Sequence, residues 1–251
     1  MNTVQTPKVT GDSRETGLSW SRLLRWIAVA MPIALLALMV LAGGIVPFLI
    51  VPAVIFAGAA WLHRRKERPG AILLAILLVL FLLGNLPFII PSLAAPASTA
   101  DFLPTVIVTL LTIVGAVSAI AVIRRRGSAI EGGARMAAMG AATVLVLAIA
   151  VTVIAKITYP DVTARSGDIT LVTQDFEFSE QNLAADGGRV AVFVDNQDTT
   201  LHTFTVEEFG VDLEIPAGES ARITFDAEPG TYEFFCRPHQ PDMSGTLEVS
   251  S

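Results

Sequence analysis

Charge is scarce in this chain of 251 residues. Asp, Glu, Lys and Arg together make up 16% of it, where soluble domains run nearer a quarter. Apolar residues make up 53%. That balance excludes a disordered chain and argues against a purely soluble one. Cysteine occurs once, so there is no internal disulfide and no zinc site built from two or more thiolates. Histidine occurs only three times.

The few charges are unevenly placed. Up to residue 160 there are 13 basic and 5 acidic residues; beyond it there are 4 basic and 18 acidic. A basic, apolar half joined to an acidic half reads as a membrane part followed by a water-facing domain. So acidic a domain repels phosphate, which excludes nucleic acid as a partner.

Uncharged apolar runs occupy Trp26–Leu62, Ala71–Ile90, Phe102–Ile123 and Ala137–Ala155. The last three match the ~20 residues a helix needs to cross hydrocarbon, and none shows the polar stripe of a soluble helix. The first is 37 residues long, or roughly 55 Å as one helix, too long for a single crossing without severe tilt. Ala42-Gly43-Gly44-Ile45-Val46-Pro47 offers a break, and basic residues flank both ends of the run (Arg22 and Arg25; Arg64, Arg65, Lys66 and Arg68). Basic loops stay in the cytoplasm, so the run is expected to cross twice. A single long tilted helix with the N-terminus outside is the alternative.

The expected organisation is a cytoplasmic tail over 1–25 and a transmembrane region over 26–157, with spans near 26–43, 45–62, 71–90, 102–123 and 137–155. A linker over 158–167 and an all-β domain over 168–251 follow. Parity puts that domain outside the cytoplasm in either arrangement. The polar first 25 residues do not resemble a cleaved signal peptide. No ionisable group lies inside the spans, where transporters and proton relays keep theirs. His63 reads as a solvated loop residue, and Met31, Met39, Met136 and Met139 as packing rather than copper(I) ligands.

Beyond the linker, Asp168–Val172, Arg189–Asp195, His202–Val206, Ala221–Phe225, Thr231–Cys236 and Gly245–Val249 carry β-branched or aromatic residues at period two, with turn signals between them. About seven or eight strands in so short a domain predict a two-sheet sandwich. A bound metal would add stability to a core that small.

The chemistry gathers in Cys236-Arg237-Pro238-His239-Gln240-Pro241-Asp242-Met243, with a second imidazole upstream at His202. Two imidazoles, a thiolate and a weak thioether form the set that selects copper for electron transfer. Taken singly, a strand-end Cys, a turn His, a strand His and a core Met each have ordinary structural explanations. Together they place the only Cys and two of the three His in one pattern. Zinc fits less well, because thioether is a poor zinc ligand. A catalytic Cys–His pair would need an oriented base and a cleft, and no enzyme is expected.

These residues resemble the cupredoxin family, of the plastocyanin and amicyanin kind. The resemblance covers about 168–251 and takes in His202-x-Phe204, Pro216-Ala217-Gly218-Glu219, Pro229-Gly230-Thr231-Tyr232, the Cys-x2-His-x3-Met loop and Gly245-Thr246-Leu247. It implies a Greek-key sandwich and one type 1 copper ion held by His202, Cys236, His239 and Met243. It also implies that Thr203, where many members have Asn, braces the ligand loop. Three residues separate His239 from Met243, between the two spacings common in the family. A single Cys argues against the dinuclear copper of cytochrome oxidase subunit II. The membrane half resembles no known family.

The resulting expectation is a membrane helical bundle followed by a cupredoxin-like sandwich. It would carry single electrons on the outer face of a prokaryotic plasma membrane, between membrane or extracytoplasmic redox proteins with basic docking patches. In the family the electron passes at the exposed edge of the second His, here His239, flanked by Arg237 and Gln240. Copper handling (as chaperone, sensor or delivery protein) is the alternative, and an interaction protein with a vestigial site is a further one.

Overall fold

The structure is a computed structural model that describes residues 18–41, 47–124 and 131–251. The first 17 residues, the Gly43-Gly44 break and the basic pair Arg125 and Arg126 lie outside the described residues. Six helices come first: α1 (Trp20–Leu41), α2 (Pro47–Arg65), α3 (Glu67–Gly84), α4 (Leu86–Ala94), α5 (Thr99–Ile123) and α6 (Glu131–Thr158). Four of them, α1, α3, α5 and α6, are long and apolar enough to cross a membrane. Their outer faces carry Trp26, Val40, Leu80 and Ile157, each more than 60% exposed. Surface of that kind is costly in water and free of cost in hydrocarbon.

Within the described residues the long first run holds two helices, which pack against one another around Leu24, Met31, Leu35, Ala53 and Phe56; α2 is not among the four long and apolar enough to cross. The run expected as one span over 71–90 differs. Its helix α3 begins earlier, at Glu67, and stops at Gly84. Pro87 fits the stop: it has no N–H to donate to the preceding turn and sits in the first turn of α4, where none is needed. Asn85 closes α3 by donating its side-chain amide to the carbonyl of Phe81 at 2.7 Å.

His63 departs from its expected place. It is not a solvated loop residue but a buried member of the last turn of α2, 3% exposed. Its Nδ1 lies 2.9 Å from the carbonyl of Glu67. Gly70 makes this possible, since a Cβ there would lie 2.2 Å from the Cα of His63. The chain turns from α2 into α3 at Lys66, and only a missing side chain allows the two helices to come so close.

Nine strands follow: β1 (Ile169–Gln174), β2 (Glu177–Phe178), β3 (Asn182–Asp186), β4 (Gly188–Asn196), β5 (His202–Val206), β6 (Val211–Ile215), β7 (Ser220–Ala227), β8 (Gly230–Phe235) and β9 (Ser244–Ser250). One sheet runs β2-β1-β4-β7 and the other β3-β9-β8-β5-β6. The six strands expected from alternation are all present. Of the additional three, β2 is only two residues long, β3 is rich in Ala, and β6 alternates plainly as Val-Asp-Leu-Glu-Ile.

Alternation is what builds the core. Leu171, Val192, Val194, Phe204, Phe234 and Leu247 all point between the sheets and are fully buried. Phe204 and Phe234 stack with ring centroids 5.3 Å apart. Burying one such ring contributes roughly 1.5–3 kcal/mol.

Two polar contacts join the parts. Asp101, in the first turn of α5, accepts hydrogen bonds from the Thr200 hydroxyl (2.9 Å) and the Leu201 amide (2.6 Å). Lys156, in the last turn of α6, pairs with Glu219 at 2.6 Å and donates to the carbonyl of Ala217. The start of α5 and the end of α6 therefore lie on the same side, against the sandwich.

Candidate metal centre

Sheet pairing assembles the site. His202 opens β5, and Cys236 follows directly on β8, the neighbouring strand. Thr205 pairs with Phe235, so the two side chains arrive together from residues 34 apart. His239 ends a single 3-10 turn, Arg237–His239. The loop is closed by its own backbone: the Cys236 amide donates to the Met243 carbonyl at 2.9 Å, and the Met243 amide to that of His239 at 3.1 Å.

The Sγ of Cys236 lies 3.5 Å from Nδ1 of His202 and 3.2 Å from Nδ1 of His239. One donor atom from each of the three residues falls within 4.8 Å of the others. Three ligands about 2.0–2.3 Å from one metal ion stand roughly 3.5–4 Å apart, so the cluster is already near the size of a metal site. A soft thiolate with two imidazoles is the donor set that copper prefers.

Burial shapes the protonation. It pushes the Cys236 thiol up, against the Thr203 amide, which donates to Sγ at 3.3 Å. It pushes His202 down, and it pushes His239 down to about 4 with help from its neighbour His202. Both imidazoles are thus neutral at pH 7 and have a lone pair to give. A buried thiol keeps its proton until a cation takes the proton's place.

No sequence motif singles out Asp198. Burial opposes its ionisation, but the amides of Phe176 and Asp175 and the ring of His202 outweigh that and hold its carboxyl below the ordinary range. An ionised carboxylate only accepts hydrogen bonds. At 2.8 Å from Asp198, Nε2 of His202 must therefore carry the proton, which leaves Nδ1 free. An acidic residue four positions before the first His was the available signal.

The same carboxylate accepts the Asp175 amide at 2.8 Å and the Phe176 amide at 3.1 Å. These two residues have φ of 56° and 64°, a left-handed conformation that Asp adopts more readily than most residues and Phe rarely. The turn holds Phe176 edge-on to both imidazoles, with centroids 6.0 Å from His202 and 5.0 Å from His239. Nothing in the sequence marks Phe176, because its place depends on a turn built across 22 residues.

Thr203 accepts the Arg237 amide on its hydroxyl at 2.8 Å, a link between the first His strand and the ligand loop. Met243 is buried in the core, 1% exposed. His239 is only half-buried. Arg237 beside it is exposed and pairs with Asp212 at 3.3 Å and Glu207 at 3.7 Å.

Residues 143–249 match the family model described as a cupredoxin-like domain, and the match begins inside α6. No curated protein matches the chain. Among solved structures, the chain is similar to a reduced tryptophan-to-tyrosine variant of amicyanin, with 21% identity, a TM-score of 0.29, and 35% of this chain and 86% of that one covered. An oxidised methionine-to-lysine variant and the copper(I) form of a methionine-to-alanine variant of amicyanin match at 19% identity and a TM-score of 0.30, with the same coverage. The sandwich that brings His202, Cys236 and His239 together is a cupredoxin-like domain, carried at the C-terminal end of a set of apolar helices.

Proposed function

We propose that this protein carries single electrons through one type 1 copper ion, bound by His202, Cys236 and His239 with Met243 as the axial ligand. The observation that carries the reading is the convergence of two imidazole Nδ1 atoms on one buried sulfur, inside a frame of hydrogen bonds that Asp198 accepts and Thr203 accepts and donates. When bound, copper supplies a one-electron couple. The protein's part is to hold its donors in one arrangement for both oxidation states, so that little moves as the electron passes.

The helices tether the domain and keep it near membrane redox partners, which raises its effective concentration. With basic loops in the cytoplasm, the sandwich faces the extracytoplasmic side of a prokaryotic membrane. Its acidic surface favours partners with basic patches. Copper delivery is the competing reading. Both Cys236 and His202 are completely buried, which favours retention of the ion over release.

Copper(II) titration of the full-length protein in detergent tests the proposal. An intense visible band near 600 nm, as the family resemblance implies, together with a paramagnetic signal that vanishes on reduction and returns on oxidation, is expected. A colourless copper-bound protein would overturn it.

A further inference from the structure

A cavity of about 620 Å³ lies between the helices and the sandwich, a size that suits a small ligand. Leu35 of α1, Leu49 of α2, Phe81 of α3, Phe88 of α4 and Val108 of α5 wall it, and the Asp175–Phe176 turn and residues 197–200 close it from the sandwich side. These apolar walls suit a molecule that partitions into lipid.

The polar groups are selective. Asp101, Asp175 and Asp198 line the cavity, and among the described residues no Lys or Arg does. A phosphate headgroup is repelled there, whereas a neutral head that donates hydrogen bonds finds acceptors. Asp101, Thr105 and Thr109 recur every four residues along α5 and all line the cavity. They form a short polar stripe on a helix whose sequence was read as having none. The Thr109 hydroxyl is buried and makes no hydrogen bond. Such a group is costly to leave unpaired; its oxygen is closed off from the cavity, so a hydroxylated ligand would satisfy it once the side chain turns toward the lining.

Position supplies the last constraint. Asp198 and Phe176 line this cavity, and they are the residues that touch the candidate ligands: Asp198 bonds His202, and Phe176 packs against both imidazoles. A molecule here is separated from the metal centre by a single side chain.

We infer that this cavity binds a lipid-soluble quinol, with its hydroxylated ring against the polar groups beneath the sandwich and its apolar tail among the helices. The use of the ligand as electron donor rests on the electron-carrier reading; its binding does not. Oxidising one quinol to its quinone releases two electrons and two protons. A one-electron centre takes the electrons singly, so a soluble one-electron acceptor must empty it after each transfer, and both protons leave to the water beside the sandwich.

Binding is tested anaerobically on metal-free, full-length protein in phosphatidylcholine nanodiscs, illuminated with a short-tailed benzoquinol bearing an aryl azide. Adducts are mapped by mass spectrometry. Expected are adducts within 81–89, 100–109 or 175–176 that excess decyl-benzoquinol suppresses about tenfold. Thr109→Leu, which fills the space and removes the hydroxyl, should weaken competition about tenfold, with circular dichroism as the check on folding. Phe88→Trp, a second filling variant, should act in the same direction. Adducts scattered over the lipid-facing surfaces, adducts that excess quinol does not suppress, or a co-purifying phospholipid that decyl-benzoquinol fails to displace would each overturn the site. Copper titration reads separately. Competed adducts without blue colour keep the binding site and remove the carrier; colour without competed adducts keeps the carrier and removes the quinol.

Discussion

Asp198 holds His202 by a 2.8 Å hydrogen bond to Nε2, which turns Nδ1 of the same ring toward the sulfur of Cys236. A carboxylate behind a ligating imidazole fixes the tautomer and makes the ring a stronger donor. It also places negative charge near the metal, which favours the higher oxidation state. Asp198→Asn should therefore raise the reduction potential by about 60 mV, the equivalent of a tenfold change for a one-electron couple. Redox titration of the visible band measures it. A potential that falls or stays put would show that the carboxylate does not act on the centre.

Ligand variants separate the roles of the sulfur atoms. Cys236→Ser is expected to abolish the visible band, because no thiolate remains. Met243→Leu should keep the band and raise the potential, because the thioether is the weak ligand. Absorption spectra of the two variants, loaded with copper under the same conditions, decide it. A coloured Cys236→Ser protein would remove the thiolate assignment.

The brace between the strand and the ligand loop has a stability signature. Thr203→Val keeps the shape of the side chain and deletes the acceptor for the Arg237 amide. The expected loss is about 1 kcal/mol, seen as a lower midpoint in denaturant, with faster release of copper to a chelator. Thr203→Ser should restore most of it.

Acid acts on the sandwich through Asp168. Its two carboxylate oxygens take hydrogen bonds at 2.8 and 2.7 Å from Arg222, and that contact lowers its pKa from 3.8 to about 2. The folded pKa lies below the unfolded one, so the contribution is complete above pH 3.8 and is lost as pH falls toward 2. Asp168→Asn should flatten the stability profile between those values. Thermal melts across that range, wild type against variant, show whether it does.

The junction between the two parts depends on Asp101. Asp101→Ala removes its bonds to Thr200 and Leu201 but touches no core residue of the sandwich. Amide exchange at 199–201 should quicken while exchange in β4 and β8 stays slow. Equal protection at 199–201 in both proteins would mean that this contact does not hold the domain against the helices.

Much of this was legible in the residues themselves. The convergence of His202, Cys236 and His239 could be read because Cys and His are scarce here and chemically distinctive. The six main strands could be read because one face of each is buried. The helix boundaries were less legible. α3 stops at Gly84 because of Pro87, a local rule that a hydropathy run hides. His63 was misplaced because its burial depends on Gly70, which lets two backbones approach.

The sequence by itself determined which part is helical and apolar and which part is the acidic sandwich, and it singled out the scarce Cys and His side chains. These follow from composition and periodicity, which act over a few residues at a time. Only the tertiary structure decided that Asp198 stands behind His202, that Phe176 covers both imidazoles, and that the end of the sandwich bearing the donors is turned toward a cavity in the helices. Asp198 and His202 are only four positions apart, but Phe176 reaches Asp198 across 22 and Asp101 reaches Leu201 across 100. These relationships are set by how two sheets and five helices pack, and no local pattern of side chains encodes them.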